Sequence, residues 1–249
     1  MAGQATLRSA TVAGLVRPAS DPDVTGRHRV LPVASPLGVL LPGGGLRRGT
    51  TVATGGLPEG GLPAGGAPGG SSALVLALIA EASRAGSWCA MVGIPTFGAV
   101  AAADAGIALD RLALVPNPGP EWAAVVAALI DGIDVVVTAV PGTVPASIAS
   151  RLAARARQRG SVLVPYGRWD GADVTLQVVR SDWEGLTPGR GRLRQRRVTI
   201  VARGRGAAAR PKEITVWMPG ADGQPVVAVV DVEPATRSTG RRATLTLIR

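Results

Sequence analysis

The residues best placed to do chemistry are Gly65-Gly66-Ala67-Pro68-Gly69-Gly70-Ser71-Ser72. They fit the frame G-x-x-x-x-G-K-[ST] at every fixed position except the lysine. That loop cradles phosphates with backbone N–H groups at a helix N-terminus, and its lysine neutralises their outer charge. Ser71 stands where the lysine belongs, and a hydroxyl carries no charge. Gly65, Gly70, Ser71 and Ser72 therefore outline a degenerate cofactor loop, and no cofactor is expected in it. Other chemistries have less to build on. Cys89 is the only cysteine and His28 the only histidine. A cysteine zinc site, a disulfide framework and a histidine cluster are excluded, and a Ser-His-Asp set has His28 alone to use.

Charge points outward. The net charge of +10 and pI near 11.5 suit DNA, RNA or an acidic protein surface, or else a solvated basic exterior. Lys212 is the sole lysine, so this basicity is arginine. The most basic stretch runs from Trp183 through Arg190, Arg192, Arg194, Arg196 and Arg197. It is punctuated by Gly185, Pro188, Gly189 and Gly191 and reads as a turn-rich loop. Arginine beside an aromatic suits single-stranded nucleic acid, and equally a protein-docking loop.

The elements that must position these residues alternate. A strand over 50–54 enters the glycine loop, and a helix over 73–84 follows, with Ser71 or Ser72 as its N-cap. The loop spans about twice the eight residues a phosphate loop needs. It contains two near-copies, GGLPEGG and GGLPAGG, so a plain glycine linker is the alternative reading. Then come a strand over 88–92, a helix over 99–105, a strand over 112–115, a helix over 121–130, a strand over 134–140, a helix over 145–159 and a strand over 161–165. This order predicts an α/β fold, a mostly parallel sheet covered by helices on both sides. Strands over 174–179, 196–203 and 213–218, with no helices between them, predict an antiparallel extension in the C-terminal third. Residues 1–35 read as an N-terminal arm, 36–220 as the core, and 221–249 as a C-terminal extension, flexible in part.

Two places in this frame should hold acids if it hydrolyses nucleotides. The turn after the 88–92 strand is Gly93-Ile94-Pro95-Thr96-Phe97-Gly98, without one. The C-terminal end of the 134–140 strand, where a Mg²⁺-linked acid belongs, holds Thr138 and Ala139. Asp134 stands at that strand's start, the wrong end for a ligand. On the 145–159 helix, Arg151, Arg155 and Arg159 form a row, and like charges four apart repel by a few tenths of a kcal/mol. The row calls for a neighbouring acid, an acidic partner or a phosphate backbone. Cys89 reads as a small buried hydrophobe. No leader and no membrane-length apolar run are evident, which predicts a cytoplasmic protein with no membrane partner.

Several strings resemble a known family. Residues 65–144 are similar to the ATPase core of RecA recombinases. The closest parts are Asp104-Ala105-Gly106-Ile107-Ala108-Leu109-Asp110-Arg111-Leu112, then Pro116-Asn117-Pro118-Gly119, then the strand over 133–140. Trp183-Glu184-Gly185-Leu186, Gly191-Arg192-Leu193-Arg194, Arg197-Val198 and Ile214-Thr215-Val216-Trp217-Met218-Pro219-Gly220 resemble the RecA-like ImuA group, in its actinobacterial ImuA-prime form. The resemblance implies a RecA-like core and an accessory role in SOS-induced mutagenesis. The implied partners are an ImuB-like Y-family polymerase homologue, RecA, an error-prone DNA polymerase alpha subunit, and DNA. It implies a place in the cytoplasm, on the nucleoid when engaged. Ser71, Pro95 and Thr138 depart from the active ATPase pattern, so no catalytic residue and no ATP turnover are expected. One alternative is an ATP-binding or weakly hydrolysing repair protein, with Arg47 or Arg48 serving as the displaced cation. Another is a stand-alone single-stranded nucleic-acid-binding protein.

Overall fold

The computed structural model describes residues 29–55, 71–187, 190–218 and 229–231, with the backbone alone for 183–195 and 229–231. The predicted alternation is present. β1 (Val30–Leu31) pairs with β2 (Leu46–Arg47), with the short helix α1 (Ser35–Gly38) between them. β3 (Val52–Thr54), α2 (Ser71–Arg84), β4 (Cys89–Val92), α3 (Ala99–Asp104), β5 (Leu112–Val115), α4 (Trp122–Ile130), β6 (Val135–Ala139), α5 (Ala146–Arg159) and β7 (Val162–Tyr166) then follow. β8 (Val174–Thr187), β9 (Arg190–Gly204), β10 (Lys212–Met218) and β11 (Val229–Asp231) close the described chain.

One nine-stranded sheet has the order β11-β10-β9-β8-β3-β7-β6-β4-β5. From β8 to β5 every neighbouring pair is parallel, and β9, β10 and β11 each run antiparallel to the strand before. This is the α/β arrangement expected, with helices on the parallel strands and an antiparallel flank. β6 shows why the parallel part sits in the middle. Val135, Val136 and Val137 are all fully buried, which only a strand covered on both faces can achieve.

Each face has its own core. On one, α2 buries Leu74, Leu78 and Ile79 together with Leu37, Leu40 and Leu46 of the N-terminal segment. On the other, Trp122, Val126 and Ile130 of α4 and Leu152 and Ala156 of α5 pack on Val136 and Leu163. Of the segment read as an N-terminal arm, residues 29–35 are described, and Leu31, Val33 and Ala34 are buried in the first core. Lys212 Nζ donates to the Val39 carbonyl at 2.8 Å and ties that segment to β10. α5 stops at Gly160, whose φ of 70° is the left-handed conformation that glycine takes without a Cβ penalty. Among the described residues no helix is long and apolar enough to cross a membrane.

Two expectations need correction. Ser71 and Ser72 are not a cap but the first two residues of α2. The stretch over 183–197 is not a turn-rich loop. It lies in β8 and β9, whose ladder pairs Asp182 with Arg197, Trp183 with Arg196 and Thr187 with Arg190. The pairing overrides the weak strand propensity of its glycines and arginines, as tertiary context commonly does. A shift of register between Glu184 and Leu186 absorbs the irregularity.

Candidate functional site

α/β sheets bind ligands beyond the C-terminal ends of their parallel strands. Here the end of β3, the end of β7 and the start of α2 converge, since Thr54 is the register partner of Tyr166. Ser72 Oγ lies 3.3 Å from Tyr166 Oη, and either hydroxyl can donate. Ser71 is buried. Gly65 and Gly70 lie outside the described residues.

A cavity of about 230 Å³ opens beside this junction, between α2, α3 and the turn after β4. Val75, Leu76, Met91, Ile94 and Phe97 make its apolar walls, with Ser72, Thr96 and Tyr166 as its polar groups. None of its lining residues is charged. Among the described residues, a triphosphate in this cavity would meet hydroxyls and hydrocarbon, with no cation on its walls. Sequence reasoning marked the missing acid in the 93–98 turn but missed the wall. The large apolar Ile94 and Phe97 in a turn are the signal that would have shown it. Pro95 itself is exposed at that turn.

Thr138 has a definite role. It is fully buried, and its Oγ1 accepts from Trp122 Nε1–H at 2.8 Å. The Trp122 ring meets Trp169 edge-on, with centroids 6.4 Å apart and planes at 62°. An indole thus fills the space beside the residue where a metal-linked acid was sought, and a neutral hydroxyl satisfies it.

At the opposite edge of the sheet, charges are paired. Arg48 Nη1 donates to Asp134 Oδ1 at 2.7 Å, and the Trp88 backbone N–H donates to Oδ2 at 2.9 Å. Asp134 therefore ties Arg48 to the starts of β4 and β6. This removes Arg48 as a displaced phosphate cation, because it precedes β3 and so sits at the N-terminal edge. Arg47 lies in β2 beside Val30, on the small separate sheet.

The arginine row on α5 finds an acid in the turn after α4. Arg155 donates to both oxygens of Asp131, from Nε at 2.7 Å and Nη2 at 2.5 Å, and Arg159 Nε reaches Oδ1 at 3.1 Å. The hydrogen bond from Arg155 comes first among the causes that hold the Asp131 carboxyl below its ordinary range, and the two guanidinium charges add to it. Asp131 in turn raises Arg155. Arg151 lines the open groove between α4 and α5 with Glu121, Ala124, Ala127 and Ile148. Burial pushes the Cys89 thiol up to about 12, so it stays neutral and inert at ordinary pH.

The basic set divides. Trp183 lies in β8 opposite Arg196, and Arg190, Arg192 and Arg194 lie in β9 beyond the part that β10 pairs. Arg196 is half-buried with Nε against Ser181 Oγ, and burial lowers its pKa. Arg197 is exposed, with its guanidinium carbon 6.0 Å from the Trp217 ring centroid. Neighbours along a strand face opposite ways, so Arg196 and Arg197 serve different sides. Trp217 was missed as a candidate. Its signal was the alternation of Glu213, Thr215 and Trp217 with Ile214, Val216 and Met218.

Comparison with known proteins bears on the parallel half. Residues 55–171 match the model of the MT3502 N-terminal domain. The uncharacterized protein Rv3395c of Mycobacterium tuberculosis (strain ATCC 25618 / H37Rv) is 40% identical over 141 residues, which is 53% of this chain and 69% of that one. The chain belongs to the family of Rv3395c. The MT3502 domain match reaches from the end of β3 past β7 and stops before β8, so the basic strands lie outside it. Among solved structures, the flagellar accessory protein FlaH from Methanocaldococcus jannaschii aligns with a TM-score of 0.44 at 9% identity. That alignment covers 75% of this chain and 92% of FlaH.

Proposed function

We propose that this member of the Rv3395c family is a non-catalytic RecA-like adaptor of the ImuA-prime type. It supports error-prone translesion DNA synthesis during SOS mutagenesis by docking an ImuB-like Y-family polymerase homologue. RecA, an error-prone DNA polymerase alpha subunit and DNA are its further contacts, and it works on the nucleoid. One observation carries the reading. Where phosphoryl transfer needs a cation and acids, the strand ends offer Ser71, an uncharged apolar cavity and a Thr138 held by Trp122. Catalysis of that transfer is almost entirely positioning and charge neutralisation, so losing the charges removes it. The alternative of a weak ATPase loses its nearest cation, because Arg48 is bound to Asp134.

The test uses the purified full-length chain. Incubation with Mg²⁺ and ATP yields no phosphate release above background and no shift of the melting temperature. An immobilised ImuB-like protein from the same genome retains the chain, and deletion of residues 220–249 abolishes the retention. ATP turnover that disappears in Gly70→Asp overturns the non-catalytic reading. Failure to bind the ImuB-like protein overturns the adaptor reading.

A further inference from the structure

Among the described residues, helices cover the antiparallel extension on one side only; on the other, Thr199 and Val201 are buried within the sheet's own surface and the outer positions are open. Leu176, Val178, Ile200, Ile214 and Met218 turn into the core that α2 covers. The core under α4 and α5 takes no residue from β8, β9 or β10. On that second side, strand alternation places two rows of register partners. Arg180, Thr199 and Thr215 form one, and Asp182, Arg197 and Trp217 form the next. Arg180, Asp182 and Arg197 are exposed and Trp217 is half-buried. Thr199 and Thr215 join hydroxyls at 3.0 Å and keep the middle of the face flat. Charge concentrates in the same strands. Residues 174–218 hold ten basic residues against three acidic ones, a net of +7 within the chain's +10.

We infer that this uncovered face of β8–β10 is a platform for single-stranded nucleic acid, on which Trp217 stacks an unpaired base while Arg180 and Arg197 meet the flanking phosphates. The inference goes beyond the adaptor reading and needs neither the ImuB-like partner nor the loss of ATP turnover. Three features select this ligand. The positive balance selects an anion. The exposed guanidinium over an indole marks a stacking site that a base can enter, freeing the guanidinium for a phosphate. A duplex keeps its bases stacked on one another and would use the charges without the ring. An acidic peptide would do the same. Asp182 is the acid in these rows and opposes a phosphate at its own position.

Fluorescence anisotropy of labelled oligothymidylate with the full-length chain, at low and raised salt, tests the inference. Thermal melts confirm that each variant folds. The wild type binds, and binding weakens as salt rises. Trp217→Ala loses about ten-fold in affinity, while Trp217→Phe, which keeps a flat ring, retains most of it. Arg197→Gln weakens binding and lowers the salt slope by about one. Asp182→Asn strengthens it. The inference is overturned if the wild type does not bind, if Trp217→Ala binds as well as wild type, or if Trp217→Phe falls as far as Trp217→Ala. It is overturned too if a duplex of equal length competes equally. Variants that lose the ImuB-like protein but keep the oligonucleotide would make the face a protein dock and leave the adaptor reading standing. ATP turnover would sink the adaptor reading and leave this one standing.

Discussion

The parallel strands and the antiparallel strands belong to one sheet and live under different conditions. β6 is packed on both faces, and its side chains have no room to meet a ligand except at the strand's end. β9 buries Val198, Ile200 and Ala202 on one face and leaves Arg197 and Arg203 exposed on the other. In the first region any chemistry must come from the strand ends, where the described cavity walls are neutral and the nearest charges are the exposed Arg168 and Asp170 past β7. In the second it can come from a whole surface, and there the charge is concentrated. The contrast shows how one sheet can offer a ligand only its strand ends in one region and a whole charged face in another.

The contrast can be broken most decisively at the level of packing. Ile200→Ala empties a fully buried position and is expected to cost about 2–5 kcal/mol. Val179→Ala, at a position 51% exposed, should stay within about 0.5 kcal/mol. Urea melts of the two variants decide it, and equal costs would mean that the flank is covered on both faces. Next in size is the strand end of β6. Thr138→Val leaves the buried Trp122 N–H without its acceptor and should cost about 1–3 kcal/mol. Thr138→Ser should restore most of that, and thermal unfolding followed by tryptophan fluorescence measures both.

The opposite edge of the sheet comes third. Asp134→Ala removes the acceptor of Arg48 and of the Trp88 N–H, and is expected to cost about 1 kcal/mol in the same melts. The smallest effect sits on the surface. Asp131 titrates below its ordinary range in the folded chain, so its contribution is present above the unfolded value of about 3.9 and fades as pH falls through the lower folded value. Asp131→Asn should flatten the acid limb of the stability–pH profile, and salt should shrink the difference between variant and wild type. An unchanged acid limb would show that the contacts from Arg155 and Arg159 are idle.

Much of the fold was legible because apolar periodicity and glycine punctuation agreed along the parallel half. The strand over 112–115 falls where it was expected, and the 121–130 and 145–159 helices begin one residue late. The reading of the basic stretch over 183–197 as a loop failed for a physical reason. Gly185 and Gly191 are local turn signals, while the ladder that makes them strand depends on pairing between β8 and β9, which no single residue type announces. Arg48 illustrates another limit. Nearness in sequence to the glycine loop made it a candidate cation, yet a residue that precedes a parallel strand belongs to the edge where that strand begins. Thr138 was read as a neutral residue in the place of an acid; its partner Trp122 stands 16 positions earlier on a helix, and nothing local joins the two.

One consequence of the bond between Lys212 and Val39 is practical. No other side chain in the sequence carries a primary amine. An acylating reagent or crosslinker that targets such groups therefore has a single internal address, and in the folded chain that group is engaged with a carbonyl 173 residues away. The rate at which it is modified reports how often the N-terminal segment lifts from the sheet, with no engineered label.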